Sequence, residues 1–175
     1  MSTPQIVCAV VAAALLFWVV GAYNRLVRLR GAIVRRFVPV EEHFRARHAL
    51  LLRQIDALGP VLPNATPRLE ALRAASQQVA TACAHAKVRP GATGAITSLR
   101  MADDILGGAR AQLPAPNAPG ADLAALNAEL GASDATLAFA RRQFNDAVIA
   151  YNDAVTQFPT VLIVGLFGFR RAGLL

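Results

Sequence analysis

Between Ile6 and Ala22 the chain reads IVCAVVAAALLFWVVGA, 17 residues with nothing more polar than Cys and Gly. This run constrains the fold more than any other feature. A helix of about 17–25 such residues matches the hydrocarbon thickness of a bilayer. With Gln5 and Tyr23 as flanks the length suffices. Trp18 and Tyr23 lie near one end, where aromatic rings favour the membrane interface. Arg25, Arg28, Arg30, Arg35 and Arg36 then arrive before the first acid, Glu41. Cytoplasmic flanks are the ones enriched in Lys and Arg, so residues 1–5 are expected outside, 6–23 in the membrane and the bulk of the chain in the cytoplasm. The competing reading is a cleaved signal peptide. It needs a positive n-region, which MSTPQ lacks, so an uncleaved anchor is favoured.

The remainder reads as helix. The 175 residues suit one domain. Alanine is the commonest residue and aromatics are 6%, a composition for close-packed helices rather than for strands. The net charge is +7, and Lys87 is the only lysine. Arginine binds phosphates bidentately, so lipid and nucleic acid are both conceivable partners. The cluster abuts the apolar run, where anionic headgroups explain it, and no DNA-reading motif accompanies it. Anionic lipid is therefore the expected partner, and nucleic acid is disfavoured.

Beyond the anchor, Leu26, Leu29, Ile33, Phe37 and Val40 keep helical spacing. Pro39 interrupts the pattern and is expected to kink it. It resumes with Phe44, His48, Leu51, Leu52 and Ile55, and ends at LGPVLPN (58–64). Thr66-Pro67 reads as a hydroxyl cap followed by proline at the first helical position, opening a second helix to about Lys87. RPGATG (89–94) breaks the chain before a third helix, about 95–112. A Pro- and Ala-rich loop (113–122) precedes a long fourth helix, 122–158.

The fourth helix places Leu123, Leu130, Leu137, Phe144, Tyr151 and Phe158 every seven residues. The companion positions are Leu126, Ser133, Ala140, Ala147 and Ala154. This is a heptad seam with mostly small residues at its second core position. The repeated FNDAV and YNDAV (144–148 and 151–155) are two of its heptads. Helices one and four have similar lengths, so an antiparallel up-down four-helix bundle over 24–158 returns the chain to the membrane, with Phe158 beside Tyr23. The fold class is thus all-α, an N-terminal transmembrane helix continuing into that bundle. Residues 159–175 are an apolar C-terminal segment at the membrane-proximal end. Val161–Phe169 is too short to span, and either packs on the bundle or dips into the interface.

No catalytic, cofactor-binding or metal-binding residues are expected. His43, His48 and His85 fit no ligand motif, Glu41 and Glu42 read as a solvated face, and the glycines of GATG (91–94) and GG (107–108) follow no strand and lead to no GK[ST]. Arg141 and Arg142 are expected to pair with acids on a neighbouring helix. Asp146 and Asp153 lie at the height of Arg25–Arg36 and are expected to pair there. The cysteines, Cys8 and Cys83, imply no disulfide.

YNRLVRLRGAIV, directly after the apolar run, resembles the opening of the LemA family. The end, ELGASDATLAFARRQFNDAVIAYNDAVTQFPTVLIVGLFGF, is similar to the family's ELxxTExxIxxARRxYNxxVxxYNxxIxxFPxxLIAxxFGF. Together these cover about a third of the chain. Phe144-Asn145, Tyr151-Asn152, Phe158-Pro159 and Phe167-Gly168-Phe169 fall on the family's signature positions. Gly31 stands where the family has Asn, Phe37 where it has Trp, and LLLRQI (50–55) where it has LIPNLV. The family's YPxLKAN stretch is replaced by the Pro/Ala-rich loop. The resemblance implies a divergent bacterial member, a membrane-anchored bundle in the inner membrane, with no enzyme activity. One branch is similar to proteins of magnetosome membrane biogenesis, and others are encoded near membrane proteases. The expected function is a non-catalytic scaffold that self-associates and organises or shapes membrane, because short middle helices would leave the seam of helices one and four exposed. The alternative is an adaptor for another membrane protein or a membrane protease.

Overall fold

One helix, α1, runs from Thr3 to Leu58 in the computed structural model, which describes residues 3–114 and 120–175. Part of the expected N-terminal stretch (1–2) and part of the expected loop (115–119) lie outside the described residues. The first third of α1 is largely apolar, and its most hydropathic 18-residue window averages 2.5 and is 0% buried. From Leu26 onward the same helix is amphipathic, burying Leu26, Ile33, Phe37, Val40, Phe44, Leu51, Ile55 and Leu58 at steps of three, four or seven residues. Pro39 does not end it; the helix is continuous on both sides.

A 3₁₀ turn at Pro63–Ala65 leads into α2, Thr66–Val88. The expected hydroxyl cap is absent. Thr66 is the first helical residue, and its Oγ1 donates back to the Pro63 carbonyl at 3.0 Å. α3 spans Thr93–Ala111 and α4 spans Ala121–Thr156. A short α5, Val161–Phe167, is bent by 97° from α4.

The architecture is an all-α, antiparallel up-down bundle. α4 lies along α1 with partners stepping down one helix as they step up the other: Gln54–Asn127, Arg53–Glu129, and Phe37–Phe144 with ring centroids 5.6 Å apart. α2 packs on α1 and α3 on α2, whereas no Cα of α3 comes within 8 Å of one in α1 or α4. The α3–α4 edge is therefore open as backbone and is closed by other means. At the far end it leaves a cavity of about 440 Å³ between Leu58, Gly107 and Leu123.

Leu123, Leu130, Leu137, Phe144 and Tyr151 are all buried. Phe158 is not: it is 77% exposed. α4 ends at Thr156, and Gln157 is already extended (φ −72°, ψ 131°). Pro159 can give no N–H to a continuing helix and forces the residue before it out of the helical region, so Phe158 leaves the heptad track. The expected neighbour of Tyr23 is consequently replaced. Tyr23 stacks on Phe167 and Phe169, at centroid distances of 5.1 and 5.8 Å.

Candidate membrane-facing end and its supports

The duplicated FNDAV and YNDAV bring Asn145 and Asn152 one heptad apart on the same stripe of α4. Each amide grips the backbone of the C-terminal tail, residues 168–175, twice. Asn152 Nδ2 donates to the Ala172 carbonyl (3.0 Å) while its Oδ1 accepts from the Ala172 N–H (2.8 Å). Asn145 does the same with Leu175, at 2.8 and 2.9 Å. Seven helical residues rise about 10 Å and three extended residues span about 10 Å, so the two grips share one spacing. The tail runs antiparallel to α4 as an extended strap. Tyr151 adds a bond from its hydroxyl to the Arg170 carbonyl (3.0 Å), and Thr93 one to the Arg171 carbonyl (3.3 Å). Burial lifts the Tyr151 hydroxyl above its ordinary range against the opposing pull of the Arg30 guanidinium.

The strap fills the α3–α4 edge at the base of the bundle. Phe169, Ala172 and Gly173 are buried there. Gly173 passes so close to α3 that a Cβ would sit 2.9 Å from the Thr93 Cα and 3.2 Å from the Ile96 Cβ. Leu26 and Ile33, in the part of α1 expected to lack cover, are 0% and 1% exposed. The short middle helices thus leave no bare seam at this end, because the chain's own tail closes it.

Midway along the bundle the edge is closed by charge. Arg47 occupies a core position of α1, 7% exposed. It pairs with Asp103 of α3 and with Asp134 of α4 (3.5 Å). Arg141 of α4 holds the second oxygen of Asp103 at 2.6 Å, and Arg110 of α3 holds the second oxygen of Asp134 at 2.8 Å. The guanidinium carbons of Arg47 and Arg141 lie 5.0 and 5.2 Å from the Phe44 ring centroid, within cation–π range. Arg141 Nε is buried without a hydrogen-bond partner among the described residues. Arg141 pairs across helices as its sequence position suggests. Asp146 and Asp153 do not: both are exposed and enter no ion pair among the described residues. At that height Arg36 instead donates to Gln143.

The residues expected at the membrane interface gather where α1 leaves the bundle. Trp18 is half-buried, Tyr23 joins α1 to α5 and the tail, and Arg25, Arg28, Arg30, Arg35 and Arg36 are exposed. α5 adds an apolar surface at the same end, with Phe158, Leu162 and Leu166 exposed by 77, 66 and 79%. Sequence reasoning missed the Asn145 and Asn152 clasp, although heptad-spaced asparagines beside a seam were its visible signal. It also missed Arg47, placing His48 on the core face instead. His48 Nδ1 is bonded to the buried Ser76 hydroxyl at 2.6 Å. Among the described residues no three of His, Cys, Asp and Glu converge.

A family model, that of the LemA family, matches residues 69–175, from α2 through the strap. No curated protein matches the chain, and no solved structure does. The family model covers more than half of the sequence, and it includes both heptads of the clasp and the segment they hold: the chain belongs to the LemA family.

Proposed function

We infer that this protein is a non-catalytic, membrane-anchored helical scaffold. The observation that carries the reading is the continuity of α1: an apolar segment with no buried residue in its most hydropathic window runs without a break into the bundle core. Bare apolar surface on that scale needs a hydrocarbon phase. α5 supports the same orientation. At 97° to α4 it lies across the bundle axis, so a bundle standing on the bilayer lays α5 flat with Phe158, Leu162 and Leu166 toward the interface. Residues 6–23 span, 24–158 form the bundle, and 159–175 turn at the interface before strapping back. The arginines beyond the span support a cytoplasmic bundle, with the N-terminus outside, in a bacterial inner membrane.

The non-catalytic part of the reading is supported by where the interior charges go. Asp103 and Asp134 each bridge two arginines, the disposition of groups that hold helices together. Self-association draws support from a row on α1 that the strap leaves uncovered: Val20, Val27 and Val34, exposed by 48, 45 and 49% at seven-residue intervals. Heptad-spaced valines suit a parallel pair of helices.

Two measurements test this. Alkaline carbonate should leave the full chain in the membrane pellet; release into the supernatant would overturn the anchor. On a Cys8→Ser background, a cysteine introduced at exposed Ser98 of α3 should react with an impermeant maleimide only after the cells are opened. Labelling of intact cells would reverse the orientation.

A further inference from the structure

Each arginine of the mid-bundle network meets a carboxylate. The base of the bundle gathers arginines around a cavity with none. Where the α2–α3 turn meets the strap, a cleft of about 620 Å³ is lined by Arg30 of α1, Arg89 of the turn, and Arg170 and Arg171 of the tail. No Asp or Glu lines it, and none of the four arginines enters an ion pair among the described residues. Four like charges around one cavity repel each other. The fold holds them there through other contacts: Tyr151 and Thr93 fix the backbone of Arg170 and Arg171, and Asn152 fixes Ala172 beside them.

We propose that this cleft is a binding site for a phosphate group, its negative charge answering the four unpaired guanidinium groups. The planar fork of arginine matches phosphate oxygens two at a time, and the cavity lies within the range of small-molecule sites, about 300–1,000 Å³. Its position selects between sources of phosphate. Arg30 is eight residues beyond Ala22, roughly 12 Å along α1, which puts the cleft at the outer edge of the headgroup layer. A lipid headgroup is therefore the source the site favours, and a soluble phosphate is the other. The lipid source rests on the anchor reading above; the phosphate site does not.

The test uses the full chain in neutral detergent. One arm titrates phosphatidic acid against phosphatidylcholine and reads bound lipid by native mass spectrometry. The other titrates inorganic pyrophosphate by calorimetry. Two triple variants carry the same loss of charge: R89Q/R170Q/R171Q in the cleft, and R25Q/R28Q/R35Q on α1 outside it. All six side chains are exposed, and melting curves check that both variants fold; R89Q/R171Q serves if the first does not. The cleft variant should lose affinity by about tenfold or more, the scale of one or two charge-assisted bonds, while the control loses no more than about threefold through general charge. Discrimination seen only with phosphatidic acid identifies the lipid source, and discrimination also seen with pyrophosphate identifies a soluble one. Equal losses in both variants, or no saturable binding in either arm, would overturn the site. Carbonate extraction separates this from the anchor: a chain that stays in the membrane but fails both arms retains the anchor and loses the cleft, and a chain that is extracted but binds pyrophosphate does the reverse.

Discussion

At the residue scale, two buried positions report on how tightly the base is built. Gly173 is the point where the strap touches α3 backbone, and Gly173→Ala must move one or the other. Overpacking of this kind costs about 1–3 kcal/mol, so the variant should melt earlier than the parent, and an unchanged melting temperature would show that the strap can step aside. Cys83 is 4% exposed on α2. Burial first, and Glu41 second, raise its thiol from 9.0 to about 11, against Arg45, Lys87 and Arg47. In the folded protein it should therefore stay unlabelled by maleimide at pH 8. The unfolded chain releases this proton more readily than the folded one, so the stability held below pH 9 is lost as pH rises from 9 toward 11. The loss should be up to roughly 2 kcal/mol, seen as the difference between the parent and Cys83→Ala in melting curves across that window.

At the scale of elements, α3 is the loosely held one. It packs on α2 and reaches α1 and α4 only through long side chains and the strap. Arg47→Ala takes one of two arginines from each of Asp103 and Asp134, a loss of about 1–3 kcal/mol because each keeps its second partner. The effect should appear first as faster amide exchange in α3, and uniform acceleration over all helices would argue against this role. Asn152→Ala removes both bonds to Ala172, leaving a backbone donor and acceptor unmet at about 1–3 kcal/mol. Exchange at residues 170–175 should rise with little change in α1, and no change there would mean that the clasp does not hold the strap. The four long helices were legible from apolar spacing and breakers, within two or three residues at each end, whereas α5 was read only as a short apolar run. The strap was not legible. Residues 168–175 carry no periodic signal, because an extended segment held by side-chain amides has no repeat of its own. Arg47 was hidden for a related reason: an arginine at a core position is read as surface until its two carboxylates, 56 and 87 residues away, are seen to meet it. Phe158 misled in the other direction, because its seven-residue spacing outlasted the helix that gave the spacing meaning.

At the scale of the whole molecule, the unbroken α1 has a mechanical consequence. A span joined to a bundle by a flexible linker can tilt alone, but α1 has no such joint: its core residues from Leu26 to Leu58 are locked against α4 and α2. The locked portion is about 50 Å long. Spanning helices tilt by about 20° on average and more in thinner bilayers, and over that lever a 20° tilt moves the far tip by about 17 Å. On the proposed anchor, local bilayer thickness would become the lateral position of the loop between α1 and α2. A fluorophore at Val61 should approach the lipid surface as acyl chains shorten, read by energy transfer to labelled headgroups. An unchanging distance would mean that the helix bends where the bundle begins. Standing on the proposed span, such a rigid mast would act as a pointer, converting the thickness of the layer beneath it into the place where its tip can meet another molecule.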